Sequence, residues 1–154
     1  MSRFFMRLPM VAAAVASLLV ALPSSAQFRK PQDAIDYRRA AFTVMGTHFY
    51  RAAAMAYGRV PFDAKAVADN VELATLLSKL PYAGFVEGSD KGDTNALPKI
   101  WTEQDKFRAA AARMQEEMVK LNTAAKTGNV DLIKTAVGET DRACKACHES
   151  YRKE

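Results

Sequence analysis

Apolar residues recur every three or four positions along four stretches of the chain, which is the period of an α-helix that packs on its neighbours. The stretches cover residues 31–57, 63–79, 102–128 and 129 onward. No stretch alternates apolar and polar residues, as a half-exposed strand would. The pattern therefore predicts an all-α fold, an up-down antiparallel four-helix bundle.

Residues that favour helix ends stand at the predicted boundaries. Asp63 and Asn129 are good N-caps, because their side-chain oxygens accept from free backbone N–H groups. Thr102 with Asp105 forms a weaker version of the capping box. Gly128 ends the third helix in a left-handed conformation that glycine adopts at little cost. These signals predict that the third and fourth helices follow each other almost directly.

Each predicted helix has an apolar seam, which is the row of residues on the face that packs against its neighbours. Two of these seams also contain side chains that can react or bind a metal. The seam of the first helix is Ile35, Arg38, Phe42, Met45, Phe49, Ala52 and Ala56. The seam of the fourth helix is Val130, Ile133, Val137, Thr140, Cys144, Cys147 and Tyr151. We expect both seams to face the core of the bundle, together with the seam of the third helix, which is Phe107, Ala111, Met114, Met118, Leu121 and Ala125.

The linking segment, residues 80–101, has no periodicity and joins the second helix to the third. A structureless connection of this length is unusual in a compact domain. Its aromatic residues Tyr82, Phe85 and Trp101 predict that both of its ends pack on the bundle. Its polar middle, residues 87–95, is expected to be exposed.

The N-terminal 26 residues read as a secretory signal. Arg3 and Arg7 precede an uncharged stretch, residues 10–22, and small residues end the segment at Ala26. Cleavage there would leave residues 27–154 as one exported bundle domain in the periplasm, with no membrane contact. The alternative is an uncleaved membrane anchor.

Composition excludes several classes of protein. The chain is 49% hydrophobic and 25% charged, as ordinary globular domains are. Beyond residue 26 there are 22 − 2 = 20 basic residues against 17 acidic ones, a net charge of +3. The basic residues form no stripe interleaved with aromatics, so nucleic acid is not an expected partner. No paired acid–base groups stand out, and we expect no classical enzyme.

The most informative segment is Cys144-Lys145-Ala146-Cys147-His148. Two Cys residues three positions apart share one helical face. They can therefore form thioethers to the two vinyl groups of one haem, while the adjacent His148 binds the iron. This spacing is the attachment pattern of c-type haem. A redox pair would need a βαβ context, a zinc site would need more Cys or His ligands, and a disulfide within one helical turn would be strained.

The opposite side of this haem should meet the start of the first helix, because helix four of an up-down bundle ends where helix one begins. Arg38 and Phe42 are the residues expected to project onto that distal face. Phe42 has no lone pair to give the iron and would keep the sixth position apolar. Met45 is the competing candidate, since a thioether can be a sixth ligand. His48 is too far along the helix.

Taken together, these features resemble the cytochrome c′ family. The haem motif lies near the C-terminus of a four-helix chain, and residues 27–31, residues 37–38, residues 80–85 and residues 100–101 also look like that family. The resemblance covers essentially the whole of residues 27–154. It implies one covalent haem c with His148 as the only protein ligand, an apolar Phe42 over the iron and Arg152 as the basic residue beside the proximal His.

The resemblance also implies a function, the binding of nitric oxide or carbon monoxide for gas scavenging or transport, with one-electron transfer as a further role. It implies a homodimer through helices one and two, where Tyr50, Tyr57 and Phe62 could form the contact. Two positions depart from the family pattern, since Phe42 stands where Leu is common and Tyr82 where Trp is common. From spacing alone, Arg152 could equally be a solvated charge at a helix end. The alternative function is a six-coordinate, low-spin electron-transfer cytochrome with Met45 as sixth ligand.

Overall fold

A computed structural model describes residues 27–153. The predicted signal segment, residues 1–26, lies outside the described residues. Within them, no helix is both long enough and apolar enough to cross a membrane. The helices are α1 (Pro31–Ala56), α2 (Ala64–Leu77), a 3₁₀ helix (Leu80–Gly84), α3 (Lys99–Thr102), α4 (Gln104–Lys126) and α5 (Val130–Tyr151).

The four long helices form a closed bundle. α1 packs against α2 and α5, and α4 packs against the same two helices. The short turn between α4 and α5 contains Gly128, whose φ of +68° is the left-handed conformation that the sequence predicts. The predicted four-helix bundle is confirmed, with α3 as a short additional helix before α4.

The seams predicted for α1 and α4 are buried along nearly their whole length. In α4, every predicted seam residue from Phe107 to Ala125 is buried. Among the seam residues of α1, Phe42 is half-buried and all the others are buried. Val130, predicted to belong to the α5 seam, is 40% exposed instead. The reason is that it is the first residue of α5, at the end of the bundle.

Two of the predicted helix starts are confirmed and one is wrong. The Asp63 side chain accepts from Ala66 N at 3.0 Å, and Asn129 accepts from two backbone N–H groups of α5. Thr102 does not cap α4, because it lies inside α3 and donates to the carbonyl of Lys99. The N-cap of α4 is instead Glu103, one residue later than the sequence predicts.

The linking segment is more ordered than its sequence suggests. Trp101 donates from Nε1 to the Val86 carbonyl at 3.0 Å, and Phe85 contacts Trp101 and Phe107 through its ring. These contacts confirm that aromatic residues pin its ends. The expected exposure of its middle is wrong at Ser89, which is fully buried. The reason is that its hydroxyl and carbonyl bind α1, as described below.

Candidate functional site

An open cavity of about 890 Å³ lies between α1, α5 and the linking segment. Its lining includes every residue for which the sequence predicts a role at the haem: Arg38, Phe42, Met45, Cys144, Cys147, His148 and Arg152. The structure therefore brings together side chains that are more than one hundred positions apart in the sequence, such as Arg38 and Arg152.

The α5 wall of the cavity carries the attachment motif. Cys144 and Cys147 lie one helical turn apart, and both are half-buried free thiols. Burial raises the pKa of the Cys144 thiol to about 11, and it also raises the pKa of Cys147. Neutral thiols of this kind differ from the low-pKa cysteines of redox pairs.

His148 follows directly on α5 and is more exposed than the two cysteines. Burial lowers its pKa below the ordinary value, and the positive charge of Arg152 contributes in the same direction. A neutral imidazole is the form that binds a metal. Among residues 27–153, no three His, Cys, Asp or Glu side chains lie together as a metal site would require. The described residues therefore form no cluster of side chains that could hold a zinc ion by themselves.

The remaining walls are mostly apolar. α1 contributes Phe42, Met45 and Phe49, and α4 contributes Met114 and Met118. Among the described residues, no Asp or Glu lines the cavity, whereas four arginines do: Arg38, Arg39, Arg51 and Arg152. The residues fit a haem, because the volume suits a cofactor, the walls suit an apolar macrocycle and the basic lining suits its carboxylates.

Phe42 belongs to a distal aromatic cluster, which we define as Phe42, Tyr82 and Phe85. The ring of Phe42 meets Tyr82 edge-on at 6.0 Å between centroids, and it meets Phe85 at 6.4 Å. Tyr82 and Phe85 stack on each other at 6.2 Å. Burial raises the pKa of the Tyr82 hydroxyl, so this group stays neutral. The cluster joins α1 to the linking segment and forms the wall of the cavity opposite α5.

Met45 lies one turn further along α1. It is only 7% exposed and belongs to the main hydrophobic core while also lining the cavity. His48 points elsewhere, since its Nδ1 is 2.8 Å from the Asn70 amide oxygen of α2. His48 does not line the cavity.

Arg38 does more than line the distal face. It is 2% exposed, and its guanidinium makes four hydrogen bonds of 2.7–2.8 Å to Gly84, Ser89 and Thr94. The sequence predicts that Arg38 projects onto the distal face, and the structure shows that it is also a buried anchor for the linking segment. No local pattern could reveal this role, because the partners lie 46 to 56 positions away.

Arg152 caps the C-terminus of α5. Its backbone N–H donates to the His148 carbonyl at 2.9 Å, and its side chain is exposed at the edge of the cavity. The backbone around it pairs with the end of the linking segment: Leu97 N donates to the Tyr151 carbonyl and Lys153 N to the Asn95 carbonyl. These bonds fix the end of α5 beside the cavity.

Aromatic residues beyond the predicted site also surround it. Phe107 of α4 contacts both Phe85 and Tyr151, at 4.8 and 5.3 Å between ring centroids. The helical seams predict the burial of Phe107 and Tyr151. They do not predict that both residues line one cavity with Tyr82, because the path of the linking segment decides this.

Comparisons with known proteins agree with this architecture. Residues 33–152 match the family model described as Cytochrome C'. The cytochrome c′ of Rubrivivax gelatinosus is 50% identical over 127 residues, which cover 82% of this chain and 98% of that protein. The cytochrome c′ of Alcaligenes xylosoxydans xylosoxydans is 42% identical with the same coverage.

Solved structures give the same result. The crystal structure of the Rubrivivax gelatinosus protein superposes with a TM-score of 0.79 and covers 82% of this chain and 100% of its own. A nitric oxide complex of a leucine-to-alanine variant of the Alcaligenes xylosoxidans protein has a TM-score of 0.78 at 40% identity, with 82% and 98% covered.

Proposed function

The chain belongs to the cytochrome c′ family, and we propose that it binds nitric oxide at an open position on its haem iron, with carbon monoxide as a usable probe. The physiological role would be the scavenging or transport of nitric oxide, with one-electron transfer as a further role. Support for the gas ligand comes from the nitric oxide complexes of two single-leucine variants of a similar protein, the cytochrome c prime of Alcaligenes xylosoxidans.

The family's covalent haem c would be held by residues of α5. Cys144 and Cys147 would provide the thioethers, and His148 the axial nitrogen. When bound, the haem supplies an iron that takes up diatomic gases at its sixth position. Arg152, one turn beyond His148, would keep positive charge beside the imidazole and so favour its neutral form.

The observation that carries the proposal is the packing of Phe42. Its side chain has only carbon and hydrogen, lines the same cavity as His148 and is flanked by Tyr82 and Phe85. Such a residue excludes water and offers the iron no ligand. An incoming gas must displace the ring at the cost of packing contacts, so a strongly binding gas is favoured over a weak one.

Titration of the purified ferrous protein with nitric oxide and with carbon monoxide tests this function. We expect spectral changes that saturate with both gases, and weaker binding of carbon monoxide. A ferrous spectrum that excess nitric oxide leaves unchanged would contradict the proposal.

The proposal includes export to the periplasm. Cell fractionation should recover a chain that starts at Gln27, with a mass that exceeds residues 27–154 by one haem. A membrane-bound chain that starts at Met1 would contradict this part.

It also includes a homodimer through α1 and α2. Support comes from exposed apolar side chains on these helices and the turn between them: Tyr50 is 60% exposed, Tyr57 41%, Phe62 40% and Leu76 66%. Leu76→Glu should shift the sedimentation of a dimer toward the monomer. Leu132→Glu, at a leucine of α5 that is 53% exposed, is the matched control and should leave the sedimentation unchanged. Wild-type protein that sediments as a monomer at micromolar concentration would contradict the dimer.

A further inference from the structure

We propose that Arg38 is a positioning residue for gas access, because it holds the linking segment so that Tyr82 and Phe85 keep Phe42 closed over the cavity. This inference rests on the proposed function. Gas access would then depend on two residues of α1. Phe42 covers the cavity, and the buried, charged Arg38 lies outside the distal aromatic cluster.

The guanidinium of Arg38 donates four hydrogen bonds to the linking segment. Nη1 donates to the Gly84 carbonyl at 2.7 Å and to Ser89 Oγ at 2.8 Å. Nη2 donates to the Ser89 carbonyl at 2.8 Å and to Thr94 Oγ1 at 2.7 Å. Each terminal nitrogen carries two hydrogens, so all four terminal donors are used within the chain. The terminal donors of Arg38 are therefore all engaged by the linking segment, although the side chain also lines the cavity.

The positive charge of Arg38 is buried among neutral and aromatic groups. All four hydrogen-bond acceptors of the Arg38 guanidinium are neutral oxygens, although a buried charge is costly without compensation. The ring of Phe85 lies 4.5 Å from the guanidinium carbon, and that of Trp101 lies 5.7 Å away. Aromatic faces attract a cation at this range. An apolar residue at this position would avoid the cost of burying a charge, but it could not donate hydrogen bonds to the linking segment. The four bonds require the forked guanidinium of arginine.

The linking segment connects Arg38 to the rings that contact Phe42. The Gly84 carbonyl lies in the chain between Tyr82 and Phe85, the two rings that contact Phe42. Gly84 packs directly on α1, since a Cβ there would lie 2.5 Å from the Ala34 carbonyl oxygen and 2.8 Å from the Arg38 Cβ. Arg38 and Phe42 are one turn apart on α1. A shift of the linking segment relative to Arg38 would therefore move both rings that flank Phe42.

The kinetic consequence is specific. Weaker anchoring by Arg38 raises the energy of the closed arrangement, whereas the gas-bound arrangement has already displaced Phe42. Gas association should therefore become faster while dissociation stays the same. A general loss of stability would lower the melting temperature, but it would not speed gas association while leaving gas dissociation unchanged.

Flash photolysis of the carbon monoxide complex of the holoprotein tests the inference with Arg38→Lys. Lysine keeps the positive charge but cannot reproduce the fork. We expect association about tenfold faster, equivalent to about 1.4 kcal/mol in the barrier, with unchanged dissociation. Arg113→Lys, on the exposed surface of α4, is the matched control and should match the wild type.

Two further measurements keep the test decisive if Arg38→Lys does not fold. Thr94→Val removes one acceptor from the linking segment and leaves arginine in place, so it should also speed association. Amide exchange of the ferric protein should quicken at Phe85 and Ser89, whose N–H groups donate within the segment. Faster exchange with unchanged association in both variants would overturn the inference. A wild type that binds neither gas would instead refute the proposed function.

Discussion

The two walls of the haem cavity are built in opposite ways. On the α5 wall, Cys144, Cys147 and His148 fall within five consecutive residues of one helix. On the opposite wall, Phe42 comes from α1, whereas Tyr82 and Phe85 come from a segment about forty positions later. One wall is thus defined by local helical geometry, and the other by tertiary packing.

This difference separates two properties of the protein. In the proposed function, the α5 wall would determine whether the cofactor is attached, since one helical turn holds Cys144, Cys147 and His148. The opposite wall would determine what reaches the cofactor, because two of its three rings belong to the linking segment. Substitutions on the first wall should therefore abolish the holoprotein, and substitutions on the second should change ligand binding by degrees.

The largest effect should follow loss of both thiols. Cys144→Ala with Cys147→Ala removes both thioether positions, so acid acetone should extract all haem from the polypeptide. His148→Ala should lose the axial bond and with it much of the folded protein, because bundle and cofactor share one core. Intact mass spectrometry gives the measurement. Lys145→Ala, an exposed position between the two cysteines, should keep its haem. Haem that remains covalent without either cysteine would contradict the assignment.

Phe42→Ala should have the next largest effect. Truncating a core phenylalanine costs about 3–5 kcal/mol, and less beside a cavity. The mutant should bind carbon monoxide faster and more tightly, because the ring no longer competes with the ligand. Flash photolysis and equilibrium titration measure both quantities. Phe62→Ala, at a 40% exposed phenylalanine, should leave them unchanged. Slower binding by Phe42→Ala would mean that the ring assists the gas rather than obstructing it.

Gly84→Ala tests the close contact between the linking segment and α1. Its Cβ would meet backbone at 2.5 Å, and overpacking of this kind costs about 1–3 kcal/mol. Gly46→Ala is the matched control, since the nearest atom to its Cβ would be 3.9 Å away and alanine favours a helix. Chemical denaturation should show a loss of stability for Gly84→Ala and none for Gly46→Ala. Equal stability of the two variants would contradict the tight packing described above.

The smallest effect should come from Met45→Leu. Leucine is close to methionine in volume, so the stability cost should be below about 1.5 kcal/mol. Because Met45 fills the core and does not ligate iron in this account, the spectrum and the carbon monoxide affinity should stay the same. Conversion of a low-spin spectrum to a high-spin one would identify Met45 as the sixth ligand.

The sequence predicts the α5 wall and the bundle because both depend on short-range spacing. The seams of α1 and α4, the caps at Asp63 and Asn129 and the turn at Gly128 follow from residues within one or two helical turns. The role of Arg38 does not, since its acceptors lie on a segment without periodicity. The sequence likewise predicts Ser89 as an exposed loop residue, and it does not reveal the long-range bonds to Arg38 that accompany its burial.

The start of α4 shows a smaller limit of the same kind. Thr102 and Asp105 have the spacing of a cap, but α3 takes up Thr102 before α4 begins. Ile100 of α3 is buried with Phe107 and Tyr151 in a second cluster. Packing of this cluster thus decides where the chain turns into α4, and local cap propensity is overridden.

The visible absorption spectrum of the ferrous protein, recorded before any gas is added, distinguishes an open iron from one that a side chain already fills. With His148 as the only protein ligand and Phe42 opposite, we expect a single broad visible band typical of five-coordinate, high-spin haem. Sharp split bands, typical of six-coordinate, low-spin haem, would show that a side chain occupies the sixth position, and gas binding at an open iron would then be refuted.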